Sequence, residues 1–132
     1  MNWEVLIKAA IDVRKFAYAP YSNYKVGAAV LTEKGKIYTG VNVENSSFGA
    51  TICAERVAVT KAISNGDNKI IAIAVVGDSN PTYPCGICRQ FLTEFGDKDL
   101  KIICSNVNGI YKVYDLEELL SFAFCKESLP NE

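Results

Sequence analysis

Two cysteines lie three positions apart in PTYPCGICRQFL, residues 81–92, and a third, Cys53, begins the segment CAER. Thiolates are common zinc ligands, and the chain contains no histidine, so any further ligand must be a cysteine or a carboxylate. Cys53 and Cys85 fall at predicted helix starts, where unpaired N–H groups favour the thiolate. Cys88 would lie about one turn after Cys85 on the same helix face. We therefore predict a zinc site formed by Cys53, Cys85 and Cys88.

The number of ligands indicates what such a zinc ion could do. Three protein ligands leave one tetrahedral position open, which is typical of a catalytic site. Glu55, two residues after Cys53, would lie beside the metal and could take a proton from zinc-bound water, whose pKa falls to about 7 in such sites. Two alternatives remain: a closed structural site with Cys104 or Cys125 as fourth ligand, and a glutamate that only complements the helix dipole.

The charge of such a site needs compensation. Three thiolates around Zn²⁺ leave a net negative charge, which weakens the Lewis acidity of the metal. Arg56 and Arg89 directly follow Glu55 and Cys88, so both are placed to donate hydrogen bonds to the sulfurs, with Arg56 the stronger candidate. Gln90, next to Arg89, is also predicted to lie around the metal ligands. Either arginine could instead form a surface ion pair.

The elements that must position these residues are predicted in the order α-β-β-α-β-α-β-β-α. The predicted helices cover residues 3–17, 53–64, 85–96 and 115–124, and the predicted strands cover 26–31, 36–43, 70–76, 101–105 and 110–115. Pro20 should stop the first helix, Asn65-Gly66 should end the second, and Asp115 should cap the last. IIAIAVV, residues 70–76, is apolar without alternation, as expected of a central strand covered on both faces. The order predicts an α/β fold, with a mixed sheet and helices on its faces.

Composition limits the classes of function. The chain has 132 residues, which suits one domain over residues 1–132. Net charge is −1 and no basic block is present, which argues against a nucleic-acid polymer as partner. No apolar stretch of signal-peptide or membrane-spanning type is present. Five cysteines without a paired framework suit a reducing compartment. We expect a cytoplasmic protein that does not bind membranes.

The pair of segments TICAER and PCGICRQ resembles the zinc-dependent cytidine deaminase superfamily in its three-cysteine form, Cys-Ala-Glu followed by Pro-Cys-x-x-Cys. AYAPYSNYKVGAAV, GVNVENSS and LEELLSFAF also resemble segments of the small homotetrameric cytidine deaminases, so the resemblance covers nearly the whole chain. It implies a three-layer α-β-α sandwich with a mixed five-stranded sheet. It also implies one zinc ion per subunit and a homotetramer with active sites at subunit interfaces.

The resemblance further implies a reaction. Cytidine and 2′-deoxycytidine would be hydrolysed to uridine and 2′-deoxyuridine plus ammonia, in pyrimidine nucleoside salvage. Zinc-bound hydroxide would attack C4 of cytosine. Glu55 would carry protons from the water to N3 and then to the departing amino group. Ala54 corresponds to the family's small pocket residue beside this glutamate.

Other positions correspond to substrate contacts of the family. Asn42 and Glu44 match the pair that holds the ribose hydroxyls, and Tyr24 matches an aromatic ring placed against the pyrimidine. Phe124 matches an aromatic residue that reaches into a neighbouring subunit's pocket. A carboxylate at Glu44 would repel a nearby phosphate, which favours a free nucleoside over a nucleotide.

The chain departs from the family pattern at two places. Phe48 stands where the family often has tyrosine, and Ser121-Phe122 stands where Pro-Gly is usual. Both departures concern the tetramer and substrate affinity and leave the zinc chemistry untouched.

Rival functions remain at this point. One is a deaminase for another cytosine-bearing small molecule, such as the nucleoside antibiotic blasticidin S, although Arg56 and VNVENSS favour cytidine. A polynucleotide or tRNA-editing deaminase is disfavoured by charge and size. A zinc-stabilised binding module without catalysis would require the closed four-cysteine site.

Overall fold

A computed structural model describes residues 2–130, and its elements follow the predicted order. The helices are α1 (Glu4–Arg14), α2 (Ala54–Ser64), α3 (Gly86–Phe95) and α4 (Leu116–Leu119). The strands are β1 (Gly27–Thr32), β2 (Ile37–Val41), β3 (Ile70–Val76), β4 (Lys101–Ser105) and β5 (Tyr111–Asp115). Single 3₁₀ turns cover Phe48–Ala50 and Lys126–Ser128. None of the helices within residues 2–130 has the length and apolar character needed to cross a membrane.

The five strands form one mixed sheet in the order β2-β1-β3-β4-β5. The β3 and β4 strands are parallel, and the other neighbouring pairs are antiparallel. The apolar strand β3 is central, as its sequence predicted. Helix α1 packs on one face of the sheet, while α2 and α3 pack on the other. The predicted α/β fold, a three-layer sandwich around a mixed five-stranded sheet, is confirmed.

Both faces of β3 contribute to the core. Ile73 and Val75 pack on the side of α2 and α3, whereas Ala72 and Ala74 pack on the side of α1. The alternation follows from the two-residue period of a strand, which sends successive side chains to opposite faces. Small alanine side chains on the α1 face allow that helix to lie close to the sheet.

Helix α2 has defined signals at both ends. Cys53 is extended (φ −71°, ψ 153°), as is usual for an N-cap residue. At the other end Gly66 adopts φ +86°, and its N–H bonds to the carbonyl of Ile63 at 2.9 Å. The N–H of Asp67 bonds to the carbonyl of Ala62 at 2.9 Å, which completes a Schellman ending. The register of α2 is therefore set locally, as Asn65-Gly66 predicted.

Two elements are shorter than predicted where the chain forms tertiary bridges instead. Helix α1 ends at Arg14 rather than at residue 17, and Tyr18 then forms a β-bridge with Val43. Strand β2 ends at Val41, and Val43 bridges to Ile52 on its other side. Backbone groups that would have continued the helix and the hairpin are satisfied by these contacts.

The last predicted helix is also shorter. Asp115 begins α4 as expected, and its N–H donates to the Glu118 carboxylate at 2.8 Å, one half of a capping box. The helix ends at Leu119 after a single turn, and the chain continues as an irregular segment. Phe122 has φ +55°, a left-handed conformation that cannot continue a right-handed helix.

Candidate metal centre and active site

The three predicted ligands meet at the N-terminal ends of α2 and α3. Cys53 and Cys85 are the N-cap residues of these helices, and Cys88 lies buried one turn into α3. The Sγ atoms of Cys53 and Cys85 are 3.8 Å apart, and those of Cys85 and Cys88 are 3.5 Å apart. All three sulfurs lie within 4.8 Å of one another. Residues separated by more than 30 positions thus form one cluster.

A zinc ion fits this donor set. Zn–S bonds of about 2.3 Å in a tetrahedron place two sulfurs about 3.8 Å apart, close to the separations observed. Cys104 lies in the core on β4, and Cys125 lies near Ser128, with 3.8 Å between its Sγ and the serine Oγ. Neither belongs to the cluster formed by the described residues. The closed four-cysteine alternative therefore lacks its fourth ligand within residues 2–130.

Arg56 contacts the cluster from within the first turn of α2. Its Nη2 donates to the Sγ of Cys53 at 3.5 Å. Contact with the Cys88 thiol, and then with the Arg56 guanidinium, lowers the pKa of Cys53 to about 5. The buried Nε of Arg56 has no hydrogen-bond partner among the described residues. Arg56 is thus placed against the sulfurs rather than in a surface ion pair.

Arg89 and Gln90 are placed differently from the expectation. The Nε of Arg89 donates to the carbonyl of Pro84 at 2.8 Å, and its Nη1 donates to the carbonyl of Leu119 at 2.8 Å. The Gln90 side chain donates to the carbonyl of Phe124 at 2.7 Å. Neither residue donates to a sulfur among the contacts of residues 2–130. Both side chains instead hold the C-terminal segment against α3.

Glu55 is a buried acid beside the cysteine cluster. It is the second residue of α2 and only 5% exposed. Burial raises the pKa of its carboxyl group to about 7, and the charge of Cys53 acts in the same direction. A carboxyl group with such a pKa can accept a proton and return it near neutrality. The fully buried Ala54 lies between Cys53 and Glu55 in the sequence.

Asn42 holds the segment that leads into β1. Its Nδ2 donates to the carbonyl of Tyr24 at 2.7 Å, and its Oδ1 accepts from the N–H of Val26 at 2.9 Å. The residue is buried, so these two bonds fix the orientation of its amide. One donor hydrogen and one acceptor lone pair of the amide remain for a ligand.

Glu44 lies two residues further along and contacts the same segment. Its Oε1 accepts from the N–H groups of Tyr21 at 2.9 Å and Ser22 at 3.1 Å, and its Oε2 accepts from the Ser22 hydroxyl. The Ser22 hydroxyl, as the largest influence, lowers the pKa of Glu44. Sequence reasoning did not single out Ser22, because its partner lies 22 positions away and no local pattern indicates the contact.

The predicted aromatic contacts fall into two groups. Tyr24 is half-buried, and its hydroxyl is 2.5 Å from the Oγ of Ser79. Phe124 is 61% exposed. Phe48 and Phe122, the departures from the family pattern, are exposed as well, and Phe48 packs edge-on against Tyr21 with 5.8 Å between ring centroids. The structure brings Tyr24 close to Asn42 and Glu44, whereas Phe124 remains largely exposed.

Comparison with known proteins gives a consistent result. The family model for the cytidine and deoxycytidylate deaminase zinc-binding region matches residues 1–104. The cytidine deaminase of Halalkalibacterium halodurans is 45% identical over 130 residues, 98% of each chain. A probable cytidine deaminase of Dictyostelium discoideum is 46% identical over 98% of this chain and 90% of that one.

Solved structures agree with the sequence relatives. The crystal structure of cytidine deaminase from Burkholderia pseudomallei has a TM-score of 0.90 at 46% identity, covering 94% of this chain and 100% of that chain. The cytidine deaminase of Mycobacterium tuberculosis has a TM-score of 0.84 at 38% identity, covering 94% of this chain and 98% of that chain. The chain therefore belongs to the family of zinc-dependent cytidine and deoxycytidylate deaminases. The predicted family, enzyme class and zinc cofactor are confirmed.

Proposed function

We propose that this enzyme hydrolyses the C4 amino group of cytidine and 2′-deoxycytidine, giving uridine and 2′-deoxyuridine plus ammonia. One observation carries the proposal: three convergent cysteines leave one tetrahedral position free, and the buried Glu55 carboxyl lies beside them. Relatives of similar length that are named cytidine deaminases support the same substrate class.

The chemistry divides between the metal and the chain. Zinc held by Cys53, Cys85 and Cys88 would supply water activation at the open position. Glu55 then removes a proton from the attacking water and delivers it to N3 of cytosine. Glu55 would then take the remaining proton of the hydroxyl added at C4 and pass it to the exocyclic nitrogen. The C4–N bond breaks, ammonia leaves, and the added oxygen stays as the C4 carbonyl of uridine. Because the Glu55 carboxyl group is buried, bulk water is kept from exchanging the protons that it carries.

The remaining residues would bind the nucleoside. Asn42 and Glu44 would hold the ribose hydroxyls with the hydrogen-bonding capacity left after their contacts with residues 21–26. Tyr24 would place its ring against the pyrimidine, and Ala54 would leave room for the base. The carboxylate of Glu44 disfavours a phosphate at the sugar, so a nucleoside is proposed rather than a nucleotide or a polynucleotide.

We further propose that the chain acts as a homotetramer with sites at subunit interfaces. The exposed Phe124 supports this proposal, because an aromatic ring of this size is more stable when covered. It would enter the pocket of a neighbouring subunit. Residues 1–132 would form one domain of a cytoplasmic enzyme of pyrimidine nucleoside salvage.

The test follows the ultraviolet spectrum of cytidine mixed with the zinc-loaded protein. A shift to the uridine spectrum supports the proposal. No shift with zinc bound would favour an antibiotic-type deaminase, which blasticidin S would reveal, or a module without catalysis. Cytidine 5′-monophosphate should be a much poorer substrate than cytidine.

A substitution tests the role of the acid. Glu55→Gln should lower kcat by about 10²–10⁴-fold, the usual contribution of a positioned acid or base, while zinc content stays unchanged. Glu33→Gln is the matched control, since Glu33 is exposed on the β1–β2 turn. Parental activity in the Glu55→Gln variant would show that the proposed proton transfers are wrong.

A further inference from the structure

Tyr24 connects the two segments of chain that lead into the metal ligands. Its carbonyl accepts from the side chain of Asn42 at 2.7 Å, and the residue after Asn42 bridges to Ile52, directly before Cys53. Its hydroxyl lies 2.5 Å from the Oγ of Ser79 and accepts from the N–H of Ser79 at 3.2 Å. Ser79 belongs to the loop of residues 77–84, which runs from β3 to Cys85.

The loop of residues 77–84 folds against the Tyr24 hydroxyl at Gly77 and Ser79. The buried Thr82 accepts from the N–H of Gly77 at 2.8 Å, and its hydroxyl donates to the carbonyl of Ser79 at 3.1 Å. A Cβ on Gly77 would lie 3.0 Å from the Tyr24 hydroxyl oxygen and 3.1 Å from Thr82 side-chain atoms. The absence of a side chain at Gly77 therefore gives the tyrosine room to reach Ser79.

The same contact lies at the edge of the sheet where ligands of α/β proteins usually bind. The first residue of β1, Gly27, pairs with Val76, the last residue of β3. Tyr24 thus precedes β1 at the carboxyl end of β3, the edge from which the chain continues to Cys85. Crevices outside the carboxyl ends of strands are the common ligand sites of such sheets.

We propose that the Tyr24–Ser79 contact is a latch that sets the position of the Tyr24 ring for the pyrimidine, and that Ser79 is a positioning residue for nucleoside binding. The proposal rests on the function proposed above. Neither hydroxyl takes part in the chemical step. Tyr24→Phe keeps the ring but removes both contacts with Ser79, whereas Ser79→Ala removes the hydroxyl contact and leaves only the weaker bond from the backbone N–H at 3.2 Å.

The test is a double-mutant cycle of Tyr24→Phe and Ser79→Ala, with kcat and KM for cytidine measured for each protein. Loss of one hydrogen bond should raise KM about two- to tenfold, with kcat within about twofold of the parent enzyme because the chemical groups are unchanged. The double variant should show no larger rise than the larger single one, because both substitutions remove the same contact. Ser79→Thr should restore the parental KM, since it keeps the hydroxyl.

Two controls separate the latch from general damage. Tyr111→Phe makes the same chemical change at a tyrosine whose hydroxyl forms no hydrogen bond with the described residues, and its KM should equal that of the parent. Zinc content and thermal unfolding should be the same for all variants. Unchanged KM in both single variants, or multiplied effects in the double variant, would overturn the proposal.

The Kd of uridine, measured by calorimetry on the same proteins, keeps the two proposals distinct. A parent protein that binds uridine without deaminating cytidine refutes the proposed function. In that case the latch is still judged by Kd, which should rise about two- to tenfold in both single variants. An identical Kd in parent and variants refutes the latch.

Discussion

Gly40 lies in β2 where this strand passes against the first turns of α2, the helix that carries Glu55. A Cβ at this position would lie 2.5 Å from the backbone nitrogen of Ala58 and 2.6 Å from the carbonyl oxygen of Ala54. Ordinary contact begins at 3.4 Å, so Gly40→Ala requires α2 to move away from the sheet by about 0.9 Å. Backbone atoms cannot rotate aside as a flexible side chain can, so the helix has to shift.

Both stability and activity should respond to this shift. Overpacking of this kind should lower the free energy of unfolding by about 1–3 kcal/mol, which urea unfolding will measure. Because Cys53 and Glu55 move with the helix, kcat/KM for cytidine should fall about 10²-fold, the cost of a displacement near 1 Å in an active site. The ultraviolet assay is run at a temperature where unfolding shows that the variant is folded.

Gly27→Ala is the matched control on the opposite face of the sheet. Its Cβ would lie 2.0 Å from the carbonyl oxygen of Ala10 in α1, a still tighter clash. Stability should fall at least as much, yet kcat/KM of the folded protein should stay within a few-fold of the parent value. Parental kcat/KM in Gly40→Ala, or an equal loss of activity in Gly27→Ala, would refute the argument that the β2–α2 contact sets the geometry of the site.

Four further substitutions test the site and the core. Cys88→Ser should remove most bound zinc after dialysis, because it deletes one of three sulfurs; a full zinc complement by atomic emission would contradict the ligand set. Arg56→Gln should weaken zinc binding about 10–100-fold, measured by chelator competition, and parental zinc affinity would count against charge compensation. Leu92→Ala, in the core beneath α3, should leave a cavity and lower the free energy of unfolding by about 2–5 kcal/mol. A loss below about 1 kcal/mol would show that neighbouring side chains fill the cavity. Phe124→Ala should lower kcat/KM at least about tenfold, as expected for an aromatic ring buried in a neighbouring pocket, and sedimentation will show whether the assembly changes as well.

The three cysteines could be singled out from the sequence because the signals at each helix start are local. Cys53 and Cys85 each stand at an N-cap, and the three-residue spacing of Cys85 and Cys88 places both sulfurs near one helix turn. The contacts of Arg89 were not predictable, because its partner Leu119 lies 30 positions further along in a segment without regular structure. The hydrogen bond between Ser22 and Glu44 was not predictable for the same reason, because 22 positions separate the two residues in the sequence.

The sequence by itself determined the order of elements, the central place of β3, the cysteine ligands and the acid beside them. These features follow from periodicity, capping and spacing within about a dozen residues, whereas the approach of Cys53 to Cys85, 32 positions away, requires the two helices to pack on the same face of the sheet. Only the tertiary structure decided where α1 and β2 end, which carbonyl groups the Arg89 side chain contacts, and how Tyr24 is held by Ser79. Each of these depends on groups that are far apart in the chain and come together only when both faces of the sheet are packed, so no local pattern encodes them.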